Sequence, residues 1–399
     1  MAGTCARSWI TQRLTKFQLK ATPMTLVYTP FDDSYKPSYR QVSRVVRAGE
    51  MLFTCGQLDT DGNGVVQHPG DLHAQTIRSM RLLCEALEQA GSDARDLLHL
   101  HVFYRADTHF DEAEFDALVQ AQLPHDCCPV TIYQRLDSFP KVVEVEVDGI
   151  ARTGTSPTQR YKQGPAQVIR RDDFLVGRVD LERDSDVQMA LDALDASLEE
   201  IGASRADVCK VRYLDGGLSM DPDGLETLFA NALSLTPTVY TRLPLHQSPY
   251  TRRLEVYGAC SRQVATDYYA ACSLPSNLWS LGYVDWVKRG NWLFVGGQLA
   301  PETASTHHFP DAIAEQVNQV MNDTVAQLAQ SDIGFAQVAK VNAYYRGKQD
   351  YDDWVRNVQL RCDFYPQPGP ASTGVEVPHV GHQNAALVLD CIAYVPGVA

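Results

Sequence analysis

Three stretches of the chain alternate apolar and polar positions in the same way, pause at a polar turn, and run on into a glycine-bearing exit. The first reads VVRAGEMLFTCGQLD and ends at Asp59. The third reads WVKRGNWLFVGGQLA and ends at Ala300, and a shorter middle copy, IRRDDFLVGRVDL, ends at Leu181. Alternation about a central turn predicts a β-hairpin in each. Gly56, Gly177 and Gly297 mark the copies at a spacing of about 120 residues, far longer than a solenoid unit, so the pattern predicts a tandem domain duplication.

The pattern after each hairpin repeats as well. Ile77, Met80, Cys84 and Leu87 fall at helical spacing in the first copy. Val187, Leu191, Leu194, Leu198 and Ile201 do so in the second, and Ile313, Val317, Val320 and Leu328 in the third. Steps of three and four lay one side of each helix on a sheet. Gly91 and Gly202 close the first two helices, as a left-handed C-terminal residue does. A strand follows (97–105, 208–214, 338–346), then a second amphipathic helix (110–123, 222–233, 351–362), then two more strands. The predicted order is ββαβαββ, an α/β unit with a mixed sheet and helices on one face. Polar joints near 153–164 and 272–276 divide the chain into a tail (1–27) and domains over 28–155, 165–265 (shortened and degenerate) and 278–399.

A chain of 399 residues holds three such units, each large enough for its own core. Acidic side chains outnumber basic ones 49 to 35, giving a formal charge of −14. Such a surface repels phosphate backbones, and no basic stripe with interleaved aromatics offsets it, so no nucleic-acid partner is expected. No apolar run is long enough for a membrane span. Ten cysteines occur, none as C-x-x-C and none clustered with histidines at ligand spacing, so no metal and no cofactor are expected. Buried, reduced thiols suit a cytoplasmic protein. Residues 1–23 are basic and free of acids, and Met24 opens a strand-like segment. The stretch reads as a tail or upstream start, with a targeting peptide as the alternative.

Sheets with helices on one face leave a second face to bury, and three of them can bury it against one another. In this the chain resembles the Rid family (YjgF-like, reactive intermediate deaminases). The residues that carry the resemblance are Cys55-Gly56-Gln57 and Gly296-Gly297-Gln298 after a hydrophobic run, helices bearing Gln75 and Gln316, and a strand bearing Lys340. The likeness spans nearly everything after Tyr28 and is weaker in unit 2, where the loop reads Val176-Gly177-Arg178. Family members are usually homotrimers of one unit. The resemblance therefore implies three tandem Rid-like domains closing into a pseudo-three-fold triangular barrel, as a monomer or homodimer, with linkage raising effective concentration.

It also implies a small-molecule substrate. Family members hold imines or enamines in clefts between protomers and are thought to hydrolyse them. An Arg on the penultimate strand grips a carboxylate and a Glu on the last strand orders water. A Tyr before the hairpin and the small residue before Gly-Gln complete the cleft. Carried over, the Glu falls on Glu146 and Glu255, with Val388 at the matching place in unit 3. The Arg is replaced by Ser372 in unit 3, by Thr131 in unit 1 and by Thr238 in unit 2, with Arg135 and Arg242 a few residues further on. Arg178, where the sibling units have Gln, reads either as an anion anchor or as a surface residue. Tyr283 matches the cleft Tyr of unit 3, whereas unit 1 has no Tyr at that spacing, its nearest being Tyr39. Ser372 with Thr373, Glu376, His379 and His382 invites a nucleophile reading, against which the histidines read as turn residues. The expectation is one working site, centred on Glu255 with the unit 3 Gly-Gln loop. The expected activity is hydrolysis of an imine, enamine or related C–N compound. The alternatives are a hydrolase or lyase on the same architecture (cyclic amide hydrolase or chorismatase-like) and a non-catalytic ligand-binding protein.

Overall fold

The computed structural model describes residues 26–105, 111–136, 139, 142–182, 187–215, 237–244, 250–260, 266–269, 284–299, 313–347, 351–380 and 385–396. Unit 1 comprises β1 (Leu26–Pro30), β2 (Ser43–Ala48), β3 (Met51–Thr54), β4 (Gln57–Leu58), α1 (Leu72–Gln89), β5 (Leu97–Arg105), α2 (Glu112–Gln120), β6 (Val130–Leu136) and β7 (Val145–Arg152). Unit 2 supplies β8 (Gln159–Gln163), β9 (Ala166–Arg171), β10 (Phe174–Glu182), α3 (Val187–Glu200), β11 (Val208–Asp215), β12 (Val239–Pro244) and β13 (Tyr250–Ala259). Unit 3 supplies β14 (Asp267–Tyr269), β15 (Trp286–Arg289), β16 (Trp292–Leu299), α4 (Ile313–Gln330), β17 (Val338–Tyr345), α5 (Tyr351–Cys362), β18 (Ala371–Glu376) and β19 (Leu387–Tyr394). The second helix expected in unit 2 lies outside the described residues.

The three hairpins turn in the same way. Gly49, Asp172 and Gly290 take φ of +62°, +54° and +60°, the left-handed geometry that matches strand twist in a two-residue turn. The first helices also end alike, on Gly91 (φ +74°), Gly202 (φ +68°) and, in unit 3, Asp332 (φ +57°). Beyond each, an amide reaches back to the helix, as Ser92 N does to Leu87 O (2.9 Å), Ala203 N to Leu198 O (2.8 Å) and Ile333 N to Leu328 O (3.2 Å).

Two expectations change. Each hairpin carries an extra outer strand, β1 on β2, β8 on β9 and β14 on β15, so the joint at 153–164 is partly β8. On α1, Ile77 is exposed, and the face on the sheet is Leu72, Met80, Leu83, Ala86 and Leu87. The predicted stripe was rotated because Thr76 and Ser79 are also buried, and Thr76 satisfies its hydroxyl on Leu72 O (2.7 Å).

The sheets share one strand order. Unit 2 runs β12-β11-β13-β10-β9-β8 and unit 3 runs β18-β17-β19-β16-β15-β14. The unit 1 strands follow the same order, and the parallel pair β18–β2, at Ala371 and Ser43, fuses units 3 and 1 into a single 13-stranded sheet. Unit 2 stays a separate six-stranded sheet that meets its neighbours without a ladder, through side chains and a backbone hydrogen bond from Val284 N to Thr238 O (3.1 Å). Three cores lie between sheets and helices, and a fourth is shared by all three units. Phe53, Phe174 and Trp292, one from each unit, meet there with ring centroids 5.0 to 6.2 Å apart.

Candidate functional site

Strand register fixes which residues are equivalent. On the middle strands, His99, Lys210 and Lys340 form one rank, and His101, Arg212 and Asn342 the next. Opposite the second rank stand Asp148, Glu255 and Asp390 on the last strands. Glu146 stands one rank away, level with Arg253 and Val388. The alignment that put Glu255 beside Glu146 is therefore displaced by two residues. Alternating strand positions share a face, so a slip of two keeps the hydrophobic pattern intact and leaves no mark in the sequence. The same slip affects Thr238. The residue level with Thr131 and Ser372 is Tyr240.

Glu255 lies in the interior. It is fully buried, 2.6 Å from His99 Nε2, and accepts hydrogen bonds from Arg212 (3.1 Å) and Tyr257. Asp390 accepts from Lys210 (2.5 Å), Arg212, Asn342 and Thr241, while Asp148 lies 3.1 Å from Lys340. Each carboxylate thus meets a rank-one side chain of another unit: Asp148 with unit 3, Asp390 with unit 2, Glu255 with unit 1. Burial raises the carboxyl pKa of Glu255, but Arg212 and His99 outweigh it and hold the group well below the carboxylate range. Burial also drives His101 down to about 3, so it is neutral. This network binds the units together and leaves Glu255 enclosed by protein side chains.

The open site lies between units 1 and 3, in a cleft that is open to solvent. Here Gly56 N donates to Ser372 O (3.4 Å), and Lys340 Nζ donates to Thr54 O (2.6 Å), holding the bulged loop after β3. Gln57 folds its amide back onto Cys55 O and Gly56 O (3.3 Å each), so it fixes the loop. Beneath Gly56 lies Glu146. A Cβ on residue 56 would stand 1.8 Å from Glu146 Oε1, so glycine here is what admits the carboxyl. Glu146 is 4% exposed and has no hydrogen-bond or ion-pair partner among the described residues. Burial, helped by nearby Asp148, lifts it to about 8 against the pull of Lys340 and Arg361. It therefore carries a proton at neutral pH. Burial raises the Cys55 thiol to about 12, which removes it as a nucleophile.

Aromatic side chains wall the cleft: Phe31, Tyr35 and Tyr39 from the segment before β2, and Trp354 from α5. Arg361, also on α5, donates to Ser372 Oγ (2.9 Å), which gives that hydroxyl a cationic partner, and His379 is exposed two residues beyond Val377. That geometry gives no support to a Ser–His pair. Tyr283 and His382 lie outside the described residues.

The corresponding place between units 2 and 1 is filled. Arg178 donates to Thr131 O, and Arg253 donates to Tyr133 O (2.6 Å), Asp180 and Glu112 (2.7 Å). Arg178 and Thr131 meet, as interlocking parts of an interface. Between units 3 and 2, Gly296 and Gly297 pack on Val239, Tyr240 and Thr241, while within unit 3 Gly297 meets Val388 and Gln298 accepts from Gln327 (2.5 Å). Val388 puts an apolar group where unit 1 has Glu146. Arg135 lies 5.8 Å over the Tyr104 ring, on the helix side of its sheet, and Arg242 is on the strand face opposite Thr241.

Structure thus gathers Cys55, Gly56, Gln57, Glu146 and Ser372 into one cleft and sets Glu255 and Thr238 apart from it. Sequence reasoning missed Arg361, Trp354 and Tyr35. The available signal was Asn357 and Arg361 one helical turn apart on α5, since Arg361 Nε donates to Asn357 Oδ1 (2.7 Å).

Fold and cleft together define a protein of tandem α/β units with an open pocket between two of them. The profile described as Endoribonuclease L-PSP matches residues 35–153 and 279–395, more than half of the chain, and the chain belongs to that Rid/YjgF family. A RutC family protein of Pyrococcus horikoshii is 25% identical over 112 residues, covering 28% of this chain and 86% of that protein. A RutC family protein of Pyrococcus abyssi is also 25% identical over 112 residues, 28% of this chain and 85% of its own length. Among solved structures, a chorismatase is similar over 75% of this chain and 93% of its own, with a TM-score of 0.50 and 14% identity. At that identity the likeness concerns the fold, which is chorismatase-like in its tandem units. Among the described residues no helix is long and apolar enough to cross a membrane.

Proposed function

We propose that this protein is a small-molecule hydrolase acting on an imine, enamine or related C–N compound, with the cleft between units 1 and 3 as its working site. The observation that carries the reading is Glu146, a protonated, unpartnered carboxyl at the base of an open cleft. A group held near neutral pH can give and take a proton in one cycle. Glu146 protonates the imine nitrogen, which makes the carbon electrophilic. Its carboxylate then takes a proton from the attacking water, leaving a carbinolamine. Returned to nitrogen, that proton lets ammonia depart, and the carbinolamine hydroxyl gives its own proton back to the Glu146 carboxylate as the carbonyl forms. Gly56, stripped of a side chain, lets substrate approach the carboxyl. The filled and apolar counterparts elsewhere support one site per chain, and the three interior carboxylate contacts, each between two units, support a closed pseudo-trimer working as a monomer or homodimer.

A lyase or hydrolase acting on a C–O bond would use the same carboxyl to protonate a leaving oxygen, and the chorismatase-like fold favours keeping this second reading. Ammonia release separates the two. With 2-imino acids generated in place by an amino-acid oxidase, the protein should speed release of ammonia, and Glu146→Gln should lose about two to four orders of magnitude. Unchanged ammonia release in the presence of wild-type protein overturns the C–N reading. The acidic surface stands against a ribonuclease role despite the family's description.

A further inference from the structure

We propose that the cleft takes a substrate bearing a carboxylate on a small planar body, and that Arg361 of α5 is the residue that holds the carboxylate. The inference rests on the reading of this cleft as the substrate site.

Three arginines rank among the largest fully buried side chains: Arg212, Arg253 and Arg361. Arg212 faces Asp390 and Glu255, and Arg253 faces Asp180 and Glu112, so each has two carboxylates. Arg361 has none among the described residues. Its Nε donates to the Asn357 amide and its Nη1 to the Ser372 hydroxyl, both neutral. Tyr365, beside it, is neutral too, its phenol pushed up to about 12 by burial. Glu146 is the carboxyl nearest in the cleft, and it carries a proton at neutral pH. A buried guanidinium left without a counter-ion is costly, and a fold that keeps one beside an open cleft has a place for an anion.

The guanidinium is also pre-positioned. Asn357 and Ser372 fix its plane from two elements, and a Cβ at residue 374 would stand 2.8 Å from Nη2, so Gly374 leaves it room. A planar fork so held suits a planar carboxylate better than a point charge would. The walls add shape. Phe31 lies 4.8 Å from Tyr35, and Tyr39 5.7 Å from Trp354, measured between ring centroids. Flat rings of this kind favour a flat, unsaturated body. With the anion on Arg361, the rest of the molecule reaches toward Glu146 under Gly56, which would place the reacting atom at the acid.

The probes are benzoate and benzamide, alike in shape and different in charge, titrated into the full chain at pH 7 and low salt by calorimetry. Benzoate should bind at least ten-fold tighter than benzamide. Arg361→Gln should reduce that preference to less than two-fold, while Glu146→Gln should retain it. Equal affinity in the wild type, no measurable benzoate binding, or a preference that survives Arg361→Gln overturns the proposal. Where Arg361→Gln does not fold, as judged by circular dichroism, Ser372→Asp serves instead. It keeps the guanidinium and supplies an internal counter-ion, so the preference should vanish, and its survival overturns the proposal equally. The function reading fails separately. A benzoate preference with no ammonia release leaves the clamp standing and removes the C–N chemistry, whereas ammonia release without the preference does the reverse.

Discussion

Replacing Glu146 by glutamine should stabilise the protein while it abolishes activity, and the stabilisation should grow with pH. In the fold the carboxyl sits at about 8 instead of the ordinary 4.5, chiefly through burial. In the unfolded chain it ionises near 4.5, so between pH 4.5 and 8 the native state holds a proton that the unfolded state has released. The unfolded state then binds fewer protons, and stability falls as pH rises. At about 1.36 kcal/mol per pH unit the penalty is about 3 kcal/mol at pH 7 and levels off near 5 kcal/mol above pH 8. Glutamine keeps the shape and carries no such term. Urea denaturation of both proteins at pH 5, 7 and 9 measures it. The curves should nearly coincide at pH 5 and separate by several kcal/mol at pH 9, with the variant the more stable. A difference that stays flat across this range would falsify the assignment of Glu146 as a buried, protonated acid. Stability given up at a reacting group is the usual trade at an active site.

Three further outcomes follow from the same geometry. Asp390→Asn leaves Lys210 and Arg212 without their shared counter-ion in the interior, and should cost about 3–5 kcal/mol in denaturant unfolding at pH 7. Because the Asp390 carboxyl is held far below its ordinary range, its contribution is present above about pH 4 and lost as pH falls, so the wild-type advantage should shrink in acid. Gly56→Ala drives a methyl group into Glu146 and should lower kcat/KM for the imine about 100-fold while circular dichroism stays native. Benzoate titration should give one equivalent per chain, in a particle that light scattering sizes at one or two chains, and three equivalents would show that the filled interfaces are sites after all.

How much of this could be read beforehand differs by element. The hairpins, the helix ends and the order of elements along a unit depend on residues within a few positions of each other, and the sequence patterns place them well. Asp172 and Asp332 do in their copies what glycine does in the others, a substitution that only the backbone shows. The stripe on α1 was misread at Ile77 because small polar residues can be buried when the backbone satisfies them. Glu255 was misplaced because a strand pattern is unchanged by a shift of two. Arg361 was overlooked because its meaning depends on Ser372, on another element, and on its having no carboxylate ion pair among the described residues.

Sequence alone determined the duplication, the α/β unit, and the chain's membership in a family, since periods of 2 and 3.6 and the turn residues that interrupt them are local. Tertiary structure decided which acid faces the cleft. Glu144, Glu146 and Asp148 alternate on one strand face and look alike in sequence. Packing sends Glu144 to Arg105 at 2.9 Å and Asp148 to Lys340 at 3.1 Å, and leaves Glu146 under Gly56 without a partner among the described residues. Burial and the nearest charge set the proton affinity of a carboxyl, and for Asp148 that charge comes from a residue almost two hundred positions away, roughly the span over which no local pattern can speak.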